Sequence, residues 1–263
     1  EQDGADGRFP TVESPNPENA SALAKGIALA EEVGADAVIA TDPDCDRMGV
    51  AIRNSLGEME LLTGNQIGSL LGWYRIKTMF DLGWLTESNR SRAVLIKTLV
   101  TTELQRSIAE SYGISVIDTL TGFKYIGEKL KKYEDAIPAE KKGDYRGLTE
   151  EESRKLRLEY SKFFVFGGEE SYGYLGSDFV RDKDGNASAV MFAELAAYAM
   201  SEGTTIAGLR DRIWDEYGVH LEQGKSLVME GGEGARKIAA LVKSYSICLL
   251  YTSDAADEVD RVV

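Results

Sequence analysis

"DAVIATDPDCDRMGVAIRN", residues 36–54, decides how this chain is read. The apolar run from Ala37 ends in Asp42, Asp44 and Asp46, then Arg47, and "MGVAIRN" resumes the apolar character. "DAVIAT" and "MGVAIRN" each have the length and composition of a buried strand. Three carboxylates on alternate positions repel one another, so something must compensate. In extended backbone, residues two apart point to one side, which predicts that Asp42, Asp44 and Asp46 converge, with Pro43 stiffening the chain between them. Hard oxygen ligands at that density suit Mg²⁺, whose octahedral shell a phosphate can complete. Placement at the end of a buried strand fits as well, because open α/β sheets bind ligands there. An EF-hand loop starting at Asp42 fails, since its glycine and glutamate positions hold Arg47 and Arg53. A phosphatase using Asp42 as nucleophile fits the same residues and stays as an alternative.

Outward from this stretch, strands alternate with helices. "SPNPENASALAKGIALAEEVGAD" opens with turn formers at Asn16-Pro17 or Asn19, carries an apolar stripe through Leu23, Ile27 and Val33, and stops at Gly34. "NSLGEMELLTG" predicts a turn and a third strand, hence a hairpin. "GNQIGSLLGWYRIKTMF" is a helix. "RAVLIKTLV" is a strand, and "TTELQRSIAESYG" a helix with Thr101 or Thr102 as cap and Gly113 as stop. "ISVIDTLTG", "FKYIGEKLKKY", "KFFVFGGEES" and two later helices continue the alternation. This predicts an α/β protein of two consecutive α/β domains, with mixed, largely parallel sheets covered by helices. "PAEKKGDYRGLTEEESRKLRLEY" is expected to be a solvated surface excursion. Past Tyr217-Gly218, "KSLVMEG" resembles a strand and "EGARKIAALVKSY" a helix, while "SICLLYTSDAADEVDRVV" shows no coherent period.

Composition narrows the function. The chain has 263 residues, 43% hydrophobic and 28% charged, ordinary for a globular protein. Its net charge of -14 argues against nucleic acid or an anionic membrane as partner. No apolar run approaches the roughly 20 residues of a transmembrane helix, and the polar, acidic start is no signal peptide, so a cytoplasmic location is expected. Cys45 and Cys248 build no disulfide framework, and His220 is the one histidine. Any chemistry must run on carboxylates, lysines, arginines and hydroxyls.

Three further stretches carry candidates. In "TLTGFKYIG", a Thr121-Gly122 turn opens a helix whose N–H groups can meet an anion, and Lys124 adds a mobile cation in the first turn. In "FGGEESYGYL", Glu169 and Ser171 alternate and could share a face toward vicinal sugar hydroxyls. Lys97, inside the apolar strand "LIKTLV", is either an edge-strand residue or a site residue near the strand's end.

"TDPDCDRMGVAIRN", "LLTGNQIGSLL", "TLTGFKYIGEKL" and "GGEESYGYLGSDFVRDKDG", in that order, resemble the phosphohexomutases, the phosphoglucomutase and phosphomannomutase family. The resemblance implies Asp42, Asp44 and Asp46 as ligands of Mg²⁺ and Arg47 as an active-site arginine. It implies Glu169 and Ser171 as contacts to sugar hydroxyls, with Thr121, Gly122, Lys97 and Lys124 facing the substrate and Lys124 the candidate for proton transfer. The implied reaction moves phosphate between positions 1 and 6 of a hexose, or 1 and 5 of a pentose, through a phosphoserine and a bisphosphate intermediate. Residues 1–59 would be part of domain II with the metal loop, 60–219 domain III with the sugar-recognition loop, and 220–263 a linker and the start of domain IV. Gly173 and Phe123 stand where some members carry a histidine, which favours lysine as the proton carrier. No serine loop of the TxSHNP kind and no completed phosphate-binding domain are found, so the isolated chain is expected to be inactive and its partners to include those missing domains. A non-catalytic sugar-phosphate binding module is the other alternative.

Overall fold

The computed structural model describes residues 6–223 and 228–251. They fall into two compact units, one ending at His220 and the other starting at Leu221.

The first unit begins with helix α1 (Ala20–Val33), which Gly34 terminates in the left-handed region at φ 72°. Next comes an antiparallel sheet in the order β1 (Ala37–Thr41), β2 (Met48–Arg53), β3 (Met59–Leu61). Ala37 faces Ile52, and Ala51 faces Leu61. The β2–β3 hairpin forms where Asn54 and Gly57 predict a turn: Asn54 Oδ1 accepts from the N–H groups of Leu56 and Glu58.

A second, mixed sheet has the order β5 (Ser115–Thr119), β4 (Ala93–Thr98), β6 (Phe163–Gly168), β7 (Tyr174–Leu175). β4 runs parallel to both β5 and β6, and only the short β7 is antiparallel. The helices are α2 (Gly64–Asp81), α3 (Leu104–Ser111), α4 (Phe123–Asp135), α5 (Ala139–Lys142), α6 (Glu150–Tyr160), α7 (Gly185–Ser201) and α8 (Ile206–Tyr217). Local chemistry fixes their starts. Thr63 with Gln66 and Thr149 with Glu152 form capping boxes, and Asp184 Oδ1 accepts from Ala187 N at 2.8 Å. α3 starts one residue later than its threonines suggest, after Glu103, although Thr102 Oγ1 still accepts from Leu104 N.

Strand alternation gives β4 two apolar faces. Leu95 packs with Leu71, Phe166, Phe192 and Ile213, while Val94 and Ile96 pack with Phe123, Ile126, Leu130 and Phe164. Met48, Val50 and Ile52 of β2 belong to the first of these clusters, so the small sheet shares its core with the large one. Each such side chain contributes about 1.5–3 kcal/mol by leaving water.

The charged excursion is not simply solvated. Tyr145, Arg154 and Arg157 are buried, and Arg157 Nε donates to the Tyr145 hydroxyl at 2.7 Å. The pattern reads as surface because buried arginines are rare without partners that come from elsewhere.

In the second unit, helix α9 (Gly231–Tyr251) covers the expected helix and reaches past it into "SICLLY". Of the strand expected in "KSLVMEG", residues 225–227 lie outside the described residues, and Val228–Glu230 form none. Residues 252–263 also lie outside them. Among the described residues, no helix is long and apolar enough to cross a membrane.

Candidate active site

The three aspartates do converge: each offers a carboxylate oxygen lying within 4.8 Å of the others. They do so by a turn rather than by strand alternation. β1 ends at Thr41, Cys45 N–H donates to Asp42 O at 2.9 Å, and Cys45 takes a left-handed φ of 57°. Asp42 Oδ1 accepts from the N–H groups of both Asp46 and Arg47, each at 3.0 Å. Asp42 is therefore the post around which the loop closes. Partial burial, then the charges of Asp46 and Asp44, push its carboxyl above the ordinary range, against the opposing Arg47 N–H bond. Asp44, at the tip, is exposed.

Two cations balance the loop. Arg47 Nη1 meets Glu18 Oε1 at 2.8 Å, and its Nε lies 3.7 Å from Asp46 and 3.9 Å from Asp42. Lys183 Nζ, arriving from the segment before α7, meets Asp46 Oδ2 at 2.9 Å. Burial lowers the lysine's proton affinity, but the bond to Asp46 outweighs it and holds the ammonium above its usual range. Sequence reading missed Lys183. Its one signal was the run "RDKDG", in which a lysine between two acids looks like solvated surface.

The loop is seated on α7. Gly185 N–H donates to Cys45 O at 2.9 Å, and a Cβ on Gly185 would lie 2.7 Å from Arg47 O. Only glycine permits that approach.

The other candidates gather at the carboxyl ends of β4, β5 and β6. Glu169 is buried just past β6, and its Oε1 accepts from Gly122 N–H at 2.8 Å, tying the sugar-loop candidate to the Thr-Gly turn. Glu169 and Ser171 are not in extended chain. They belong to a tight turn closed by Glu169 N–H to Gly173 O at 2.9 Å, with Tyr172 at φ 68°. Glu170, which carried no assignment, is a second tie: its Oε2 accepts from Thr98 Oγ1 at 3.1 Å and Thr101 Oγ1 at 3.3 Å. Thr121 and Lys124 are at the start of α4, Lys124 exposed with its Nζ 4.9 Å from the Tyr125 ring centre. Lys183 links the groups: its Nζ lies 5.8 Å from the Phe123 ring, and a Cβ on Gly173 would collide with its Cδ. The space that Gly173 leaves is thus filled by the lysine stem.

Lys97 does not face the cleft as expected. β4 is a central strand, so the edge-strand reading also falls. Its side chain is wholly buried, and Nζ meets Glu103 Oε1 at 2.8 Å, Asp118 Oδ1 at 3.0 Å and Thr101 O at 3.1 Å. Glu103 Oε1, Thr101 O and, at 3.5 Å, Thr98 O use up the three protons of the ammonium, and Asp118 is a neighbouring counter-charge. Asp118 in turn pairs with Arg106. Lys97 braces the floor of the site from beneath.

A cavity of about 710 Å³ borders the aspartate loop at Asp42 and Pro43, but Phe9, Pro10, Val12 and Ala40 form much of its wall and, among the described residues, no cation lines it. It does not fit a phosphate.

Residues 63–217 match the family described as phosphoglucomutase/phosphomannomutase, alpha/beta/alpha domain III, and residues 1–57 match domain II of the same family. Over 251 residues the chain is 31% identical to a phosphopentomutase of Homo sapiens, covering 93% of this chain and 36% of the relative. To a phosphoglucomutase of Staphylococcus aureus (strain USA300) it is 32% identical over 240 residues, covering 91% and 38%. A putative phosphomannomutase from Thermus Thermophilus shares the fold at a TM-score of 0.54 and 23% identity, over 78% of this chain and 36% of that one. The chain spans little more than a third of the length of these curated relatives. These matches do not favour the phosphatase or the binding-module alternative. The chain belongs to the phosphoglucomutase/phosphomannomutase family, with its domain III at residues 63–217 and domain II sequence at residues 1–57.

Proposed function

We propose that this chain supplies the metal loop and the sugar-binding turn of a sugar-phosphate mutase, an isomerase that moves phosphate between positions 1 and 6 of a hexose or 1 and 5 of a pentose. The observation that carries this reading is the convergence of Asp42, Asp44 and Asp46. It occurs beside a lysine, Lys183, that also touches the sugar-side elements. The donor set is all carboxylate, as Mg²⁺ prefers, and Asp42, Asp44 and Asp46 would hold the ion. When bound, it neutralises charge on a transferring phosphoryl group.

The remaining residues divide the work. Arg47 stands next to the acids with its guanidinium already aimed at Asp42 and Asp46. It would pair with a phosphoryl oxygen once those acids are otherwise engaged. Thr121 and the N–H groups at the start of α4, a turn that the Gly122 to Glu169 bond holds in place, would take the distal phosphate. Glu169 Oε2 and the Ser171 hydroxyl are left to meet the sugar's hydroxyls, since Glu169 Oε1 is committed to Gly122. Lys124, exposed and in the first turn of α4, would carry the proton to or from the accepting hydroxyl. The phosphoryl carrier, a phosphoserine passing through a sugar bisphosphate, is assigned to sequence beyond these residues. The 263-residue chain alone is therefore expected to show no turnover in a coupled assay with glucose 1-phosphate.

The deciding experiment is calorimetric. Mg²⁺ titrated into the chain should give saturable binding that Asp44→Ala removes and Lys124→Ala leaves intact. Uptake of Mg²⁺ that ignores Asp44→Ala would end this reading.

A further inference from the structure

A second cavity, of about 330 Å³, lies between the 138–160 excursion and the amino end of β6. Arg75, Arg146, Arg154 and Arg157 line it, against two acids, Glu150 and Asp178. Four arginines around one small space are unexpected in a chain of net charge -14. The catalytic candidates follow the last residue of β6 whereas Phe163 begins it, a separation of roughly 20 Å along the strand.

The arginines are not equivalent. Arg157 is committed: its Nε donates to Tyr145, Nη2 reaches Asp178 at 2.5 Å, and both terminal nitrogens reach Leu130 O at 3.3 Å. It holds the wall together. Arg146 sits exposed, donating to Phe179 O at 3.3 Å. Arg154 is only 9% exposed, and its guanidinium stacks 3.7 Å from the centre of the Trp84 ring. Its Nε lies 3.7 Å from Glu150 Oε1, while its buried Nη1 has no hydrogen-bond acceptor among the described residues. Arg75 Nε, reaching in from α2, is likewise buried without an acceptor. A buried donor left unpaired costs about 1–3 kcal/mol, and more when charged. Both nitrogens are shut off from solvent, so it is the rest of these guanidinium groups that lines the cavity; Glu150 and Asp178 answer Arg154 and Arg157, which leaves Arg75 and Arg146 as an excess of two cations on the lining. Burial also works against the Arg75 charge, lowering its proton affinity, so an anion placed there would relieve it.

From this we propose that the cavity is a second ligand site, separate from the metal loop, for a small phosphomonoester. An excess of two cations on the lining favours a phosphomonoester, which carries close to two negative charges at neutral pH, over a singly charged carboxylate. Phe163, Phe164, Leu148 and Phe179 on the other walls receive the carbon skeleton.

The test titrates inorganic phosphate, phenyl phosphate and acetate into the 263-residue chain without Mg²⁺, following calorimetry and the fluorescence of Trp84 and the other tryptophans. Saturable binding is expected for both phosphates, tighter for phenyl phosphate, and none for acetate. Arg75→Gln should weaken it roughly 10- to 100-fold, the worth of a charge-assisted hydrogen bond, while Asp44→Ala changes nothing. Arg154→Gln removes a stacked side chain and could unfold α6. Ser153→Trp therefore serves as the second variant: it leaves every arginine, fills the cavity and should abolish binding. Acetate binding as well as phosphate would overturn the ligand class. Phosphate binding indifferent to both Arg75→Gln and Ser153→Trp, or no saturation at all, would overturn the site.

Discussion

The aspartate loop and the turn after β6 are built alike and behave differently. Each follows an apolar strand, each carries adjacent or alternating acids, and each contains a non-glycine residue at positive φ, Cys45 at 57° and Tyr172 at 68°. Such backbone strain clusters at functional sites, where surrounding structure has to hold it. Yet Glu169 and Glu170 are tied to Gly122, Thr98 and Thr101, whereas Asp44 hangs exposed at the tip of its loop. One turn uses its carboxylates to assemble the cleft. The other closes around Asp42 and pairs Asp46 with Lys183, and leaves Asp44 without a partner among the described residues. An acid with internal partners holds structure, and an acid without them is available to a ligand.

The widest gap between these two kinds of charge should come from below the cleft. Lys97 is the committed extreme: a wholly buried ammonium between Glu103 and Asp118. Lys97→Met should cost about 1.5–3 kcal/mol in denaturant unfolding, because the buried Thr101 O loses a charged donor while Glu103 and Asp118 keep only Arg106. A loss under about 1 kcal/mol, the usual worth of an exposed pair, would show that the network is not coupled to the fold. Next comes Glu169→Ala, expected to cost about 1–3 kcal/mol by leaving Gly122 N–H without its acceptor. Amide exchange at Gly122 should rise with it. If stability fell but Gly122 stayed protected, Glu169 would not be what holds the Thr-Gly turn.

The acids also show what could be read from residue order and what could not. Apolar runs of strand length placed β2, β4 and β6 correctly, and the stop glycines Gly34 and Gly113, both at positive φ, placed the ends of α1 and α3, because those signals are local. The convergence of Asp42, Asp44 and Asp46 was legible too, but for an inexact reason: alternation was expected and a turn around Cys45 does it. A left-handed φ at a cysteine has no local signature. Lys183, Glu170 and the buried partners of Lys97 were out of reach for another reason. Asp46 pairs with Lys183, 137 positions on (183 − 46), and Thr98 lies 72 positions from Glu170, so neither pairing leaves a periodic trace. The excursion was misjudged likewise, since Arg157 looks solvated until Asp178 and Leu130 O are known to receive it.

A third committed carboxylate gives the comparison a pH axis. Glu134, buried near the end of α4, pairs with Arg181 and with Lys142 at 3.3 Å. Its desolvation, which alone would raise the carboxyl, is outweighed by those cations, so its folded value lies below the ordinary one. A depressed acid stabilises the fold above its unfolded value, near ~4.3, and loses that contribution as pH falls through the folded value. The stability difference between the chain and Glu134→Gln should thus be constant at neutral pH and shrink below about pH 4. A difference that grew on acidification would mean the pair is not formed.

Asp44→Ala should produce the smallest stability change and the largest change in ligand response. Asp44 has no structural bond to lose in this loop, and its charge is one of those that push the Asp42 carboxyl up. Without metal, removing it should shift unfolding by no more than about 0.5 kcal/mol, with relief of repulsion favouring the variant. With Mg²⁺ at about a hundred times its dissociation constant, the unsubstituted chain should gain about 2.7 kcal/mol and the variant almost nothing. A variant that loses several kcal/mol in the absence of metal would erase the distinction drawn between the two turns. Asp44 would then be scaffold like Asp42 and Glu169, and the closeness of the three acids would say nothing about an ion.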